Sequence, residues 1–119
     1  MRFTGILIGT ADPQRLTEYY GRILGEPGFT DSGYTGWMFG SAWITVGPHS
    51  EVTGNNLQPG RLIWNLESDD VRADAARFTA AGAIVIAEPY TMRDDGVSWI
   101  ATFADPDGNY FQLMAPMQM

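Results

Sequence analysis

At 119 residues and 45% hydrophobic composition, the chain has material for one domain with a real core, and no run nears the ~18 apolar residues of a membrane span. It has no Cys, a single His, and seven basic residues that are all Arg, so disulfides, thiolate nucleophiles, zinc–sulfur sites and lysine Schiff bases are excluded. A formal net charge of −7 opposes nucleic-acid binding; it confers solubility and would attract cationic small molecules.

In chain order, residues 3–9 read as a strand that follows the start directly, without the basic and apolar stretches of a signal peptide, so a cytoplasmic location is expected. Asp12 then caps a helix that has Pro13 at its first position and stops at Gly25, with Leu16, Tyr19, Tyr20, Ile23 and Leu24 on one apolar stripe. Short, aromatic-rich strands are expected at 28–31, 34–39 and 42–46. The same order recurs. A strand at 61–67 precedes a helix capped by Asp69 or Asp70 and stopped at Gly82, its stripe formed by Val71, Ala75 and Phe78. Strands are expected at 83–88, 98–103 and 109–114.

Each half thus reads β-α-β-β-β, and a half of this size is marginal alone. The reading is an α+β chain forming one domain. Module one spans about 1–47, a polar connecting loop about 48–60, and module two about 61–119.

The stretch Asp105-Pro106-Asp107-Gly108-Asn109 is a tight turn feeding the last strand. It resembles the closing hairpin of the vicinal-oxygen-chelate superfamily, which groups glyoxalases, bleomycin-resistance proteins and ring-cleaving dioxygenases. Tyr19-Tyr20-Gly21-Arg22-Ile23-Leu24-Gly25 resembles the end of helix one in these proteins, and Glu88-Pro89-Tyr90 with the following Trp99–Phe103 segment resembles their second module. The resemblance covers essentially the whole chain. It implies two βαβββ modules forming curved mixed or antiparallel sheets around a concave cavity, with helices outside.

It also implies positions for a metal. Relatives that use one take ligands where this chain has Gly5, Ile63 and, in place of the final Glu, Gln112. These residues offer at best one neutral amide oxygen, and Arg61 would repel a cation, so neither a metal nor any other cofactor is expected.

Strand alternation assigns the faces. Gly5, Leu7 and Gly9, then Arg61, Ile63 and Asn65, then Tyr110, Gln112 and Met114 face the cavity. Ile6, Ile8, Leu62, Trp64, Leu66, Phe111 and Leu113 face the helices. The candidate ligand-binding residues are Trp37, Met38, Trp43, Arg61, Asn65, Trp99, Tyr110, Gln112 and Met114: aromatic and soft side chains with a few polar anchors. The aromatics either line a cavity or fill the interior. His49 and Glu51 allow a general-base reading, or else a loop histidine at the rim or at a dimer contact.

The function expected is metal-independent binding of an aromatic or cationic small molecule by a homodimer, as in the sequestering branch of the superfamily. The alternatives are a glyoxalase-like lyase, isomerase or dioxygenase with an atypical or metal-free site, and a scaffold domain.

Overall fold

The computed structural model describes residues 1–117. Two compact units are present, Met1–Asn55 (module one) and Asn56–Met119 (module two). Module one contains β1 (Gly5–Thr10), α1 (Pro13–Leu24), β2 (Phe29–Asp31), β3 (Tyr34–Phe39) and β4 (Ala42–Pro48). Module two contains a short 3₁₀ turn (Pro59–Arg61), β5 (Trp64–Glu67), α2 (Val71–Ala80), β6 (Ile84–Thr91), β7 (Trp99–Ala104) and β8 (Tyr110–Met114). No described helix is long and apolar enough to cross a membrane.

The two sheets have one topology, β1-β4-β3-β2 and β5-β8-β7-β6. In each, the first strand pairs in parallel with the last, and the remaining pairs are antiparallel. The repeat expected from the two helix caps is therefore a repeat of the whole fold. The architecture is α+β: two similar modules, each an open four-stranded mixed sheet with one helix on one face.

The caps form as their chemistry dictates. The Asp12 carboxylate accepts from the Arg15 N–H (3.2 Å), and Asp70, rather than Asp69, accepts from the Ala73 N–H (3.1 Å). Leu16, Tyr19, Tyr20 and Ile23 of α1 are buried, as are Ile8, Trp37, Ile44 and Val46 on the strands it covers. In module two, Phe78 of α2 meets Phe103 at 5.5 Å, Phe103 stacks on Phe111 at 5.6 Å, and Phe111 stacks on Trp64 at 4.8 Å.

Two strand starts differ from expectation by more than one residue. Strand β1 begins at Gly5, leaving Phe3 exposed outside it. Strand β5 begins at Trp64 rather than at residue 61. Trp64 is opposite Phe111, so residues 61 and 62 would fall opposite Gly108 and Asn109, which belong to a turn and not to a strand. Arg61 instead closes the 3₁₀ turn, its N–H donating to the Gln58 carbonyl (3.1 Å), and Leu62 is exposed rather than packed under the helix.

Candidate functional site

On each sheet the residues pointing away from the helix form a second face, open in module one and largely buried along β7 in module two. In module one, alternation places Leu7 of β1, Phe29 and Asp31 of β2, Met38 of β3, and Trp43 and Thr45 of β4 there. Leu7 is 52% and Met38 54% exposed, so this face is uncovered. Leu7, Phe29, Asp31, Tyr34, Trp43 and Thr45 line an open concavity of about 610 Å³. Phe29 and Trp43 meet edge to face, with ring centroids 5.1 Å apart.

Three glycines let these rings lie close to the backbone. A Cβ on Gly36 would come within 2.1 Å of the Phe29 ring, one on Gly47 within 2.0 Å of the Tyr34 ring, and one on Gly28 within 2.8 Å of the Trp43 ring. Tyr34 is further held by its hydroxyl, which donates to the Pro48 carbonyl (3.0 Å).

The corresponding face of module two differs, with Ile100, Thr102 and Ala104 of β7 buried at its centre. Asn65 and Gln112 are register partners across β5 and β8, and the Gln112 amide donates to the Thr102 hydroxyl (3.2 Å). Tyr110 and Met114 flank Gln112 on the same face, half-buried. Met114 also borders a small cleft of about 80 Å³ together with Met92, Val97 and Met117.

Three expected site residues are elsewhere. Trp37 faces α1 and is 2% exposed; its indole N–H donates to the Gly25 carbonyl (2.9 Å), so it completes the helix end and the core. Trp99 shares the helix face with Ala101 and Phe103, its ring beneath the Arg72 guanidinium (4.4 Å) and its N–H donating to the Gly96 carbonyl (3.1 Å). Alternation settles both cases, since residue 37 shares the face of Ile44, and residue 99 the parity of Ala101 and Phe103, which face α2 with Leu113 and Phe111. Arg61 lies off the strand, and its guanidinium binds the Gln58 side chain.

The His49–Glu51 pairing also differs from a general-base arrangement. The backbone N–H of Glu51, not its carboxylate, donates to His49 Nδ1 (3.1 Å). That bond occupies the Nδ1 lone pair and puts the proton of the neutral ring on Nε2, so the exposed imidazole presents a donor.

Sequence reasoning missed Phe29, Asp31, Tyr34 and Thr45 as lining residues. The available signal was Thr45 two residues from Trp43, and glycine at 36 and 47, where neighbouring strands carry aromatic rings.

The positions implied for a metal do not fit one. At Gly5 a Cβ would sit 2.0 Å from the Trp43 carbonyl oxygen, so any side chain is barred by the β1–β4 pairing. Ile63 is apolar, and Gln112 retains one neutral amide oxygen. Among the described residues, no three His, Cys, Asp or Glu side chains gather as a metal-binding group.

The conspicuous acids of the closing turn are structural. The Asp105 carboxylate, 1% exposed, accepts from the N–H groups of Asp107 (2.9 Å) and Asn109 (3.0 Å) and from the Asn109 amide. Asn56 docks on the same turn, donating its N–H to the Asp107 carbonyl (2.8 Å) and its amide to the Asn109 side chain (3.0 Å). Gly108 takes φ 86°, as the turn requires.

Comparison with known proteins agrees with this architecture. A glyoxalase-related enzyme from Fulvimarina pelagi superposes with a TM-score of 0.75 at 17% identity, covering 97% of this chain and 88% of that one. A glyoxalase/bleomycin resistance protein/dioxygenase family enzyme from Burkholderia phytofirmans PsJN gives 0.72 at 21% identity, with 96% and 98% coverage. TnmS3, an antibiotic-binding protein from Streptomyces sp. CB03234, gives 0.69 at 20% identity, with 98% and 97% coverage. At such identities these likenesses establish the fold alone. No curated protein matches the chain. The profile of the Glyoxalase-like domain matches residues 5–114, nearly the whole sequence, and the chain belongs to that family, within the vicinal-oxygen-chelate superfamily.

Proposed function

We propose that this protein is a metal-independent small-molecule-binding protein that sequesters an aromatic or cationic ligand on the open face of module one. The observation that carries the reading is the concavity of about 610 Å³ lined by Phe29, Tyr34 and Trp43 on an otherwise uncovered sheet face. An apolar hollow with a few polar groups at its edge is the usual form of such a site. Binding alone lowers the free ligand concentration and requires no reacting group. The lack of fit to a metal at Gly5, Ile63 and Gln112 supports this reading over a metal-dependent enzyme, and an antibiotic-binding protein is among the chains that share the fold.

The reading sets the protein in the cytoplasm as a homodimer. Exposed apolar side chains, Leu7 and Met38 in module one and Ile84, Ile86 and Tyr90 on β6, support self-association. Sedimentation at micromolar concentration tests the dimer.

The binding claim is tested by treating the protein with chelator, dialysing it, and titrating it with uncharged polycyclic aromatics while following tryptophan fluorescence. Saturable quenching that is indifferent to added zinc, nickel, manganese or iron is expected. Quenching that requires one of these ions would overturn the metal-independent reading, and turnover restored by the ion would favour the enzyme.

A further inference from the structure

We infer that Gly36 and Gly47 give the module-one concavity its depth and that Asp31 makes it selective for planar cations. The inference rests on the binding reading above and names the ligand class of that site.

The rings of Phe29 and Tyr34 occupy space that a Cβ at residues 36 and 47 would take, at 2.1 and 2.0 Å. On any strand with side chains at those positions both rings would be lifted into the hollow. The floor is also fixed before a ligand arrives: Phe29 is braced edge to face by Trp43, and Tyr34 is tied to the Pro48 carbonyl. A preformed floor spares the ligand the cost of ordering it. Flat rings are the partners that stack on such a floor.

Charge is set at one side of the same hollow. Asp31 shares the face of Phe29, is exposed, and has its carboxylate steadied by the Ser32 hydroxyl (3.2 Å). Among the described residues, those lining the concavity include no Arg or His, so nothing there compensates the carboxylate. The chain's net charge of −7 adds long-range attraction for cations, and the aromatic faces add short-range attraction.

The test compares three planar tricyclic probes on the wild-type protein by tryptophan quenching: proflavine (cationic), acridone (neutral) and anthracene-2-carboxylate (anionic). Proflavine is expected to bind about fivefold tighter than acridone, with the anion weakest, the size expected for one exposed charge pair with ring contacts. Asp31→Asn should bring proflavine to within about twofold of acridone. Gly36→Ala, which swings the Phe29 ring upward, should weaken both probes about tenfold while the unfolding curve stays cooperative; Phe29→Leu provides the same loss of floor without touching the backbone.

Equal affinity for the three probes, or a cation preference that survives Asp31→Asn, overturns the charge assignment while the binding reading stands. Unweakened binding by Gly36→Ala and Phe29→Leu overturns the assignment of the floor. Failure of all three probes to bind the wild-type protein overturns both the inference and the reading beneath it.

Discussion

The two modules share strand order, helix caps and a parallel first–last strand pair, yet the faces turned away from their helices have little chemistry in common. Module one lays aromatic rings on glycine; module two sets Asn65, Gln112 and Thr102 together and anchors its last hairpin on a buried carboxylate. The corresponding β3–β4 connection in module one is only Gly40-Ser41, with no such anchor. The helix-facing positions must be apolar in both modules, because burial there holds each sheet to its helix. The positions turned away from the helix do not hold the sheet to it, and function can diverge on them while the fold persists.

The sharpest way to break this comparison is at the closing turn. Asp105→Ala removes the acceptor for two backbone N–H groups and one side-chain amide in a buried site, and should cost roughly 3 kcal/mol in denaturant unfolding. Ser41→Ala in the module-one turn should change stability by less than about 0.5 kcal/mol. A small loss for Asp105→Ala would show that the turn is not the anchor its hydrogen bonds indicate.

Next in size are the two tryptophans on helix faces. Trp37→Phe loses the bond to Gly25 and opens space in the core, and should cost roughly 2 kcal/mol. The partly exposed Trp99, replaced by Phe, should cost about 0.5 kcal/mol. Neither substitution should alter probe binding, since neither residue is among those lining the module-one hollow. Altered affinity in Trp37→Phe would place that ring functionally at the site.

Gln112→Glu restores the family's carboxylate at the position the resemblance assigns to a ligand. With Gly5 and Ile63 unable to contribute donors, the variant should hold no stoichiometric zinc, nickel, manganese or iron by elemental analysis, and its stability should change by under about 1 kcal/mol. Tight metal uptake would mean that other residues supply the missing ligands.

The smallest effect concerns the β6–β7 hairpin. The Ser98 N–H, the Val97 N–H and the Ser98 hydroxyl all donate to the Asp95 carboxylate and lower its pKa from 3.8 to about 2. A depressed folded-state pKa contributes stability that is fully present above the unfolded value near 3.8 and is lost as pH falls through about 2. Carboxyl chemical shifts followed from pH 5 to about 1.5 should show that midpoint. Ser98→Ala should move it upward by removing the hydroxyl while keeping the backbone donors. An unchanged midpoint would assign the whole depression to the backbone.

Much of the fold was legible in the chain. The Asp12 and Asp70 caps, the glycine stops and the apolar stripes of both helices are local signals, and each element formed close to where they indicate. The Asp105 turn was legible for the same reason: its donors and acceptor lie within four residues of one another. The site was less so. Asn65, Tyr110, Gln112 and Met114 were assigned by strand parity to the face away from the helix, where the register has them; Met38 and Trp43 were chosen by residue type and lie on the corresponding face of module one. Trp37 and Trp99 were grouped with them by residue type alone, and the register of their strands puts them on the opposite faces.

What the sequence determined by itself is therefore whatever depends on neighbours along the chain: caps, turns, periodicity, the duplicated order of elements, and the lack of Cys, Lys and paired His. Tertiary structure decided what depends on neighbours across a sheet. Only strand register shows that Phe29 lies over Gly36 and Tyr34 over Gly47, that Trp43 bars every side chain at Gly5, and that Arg61 has no strand to join. A strand's partner is chosen by hydrogen bonds and packing between distant segments, and one residue of slip exchanges its two faces, so those contacts have no local signature to read.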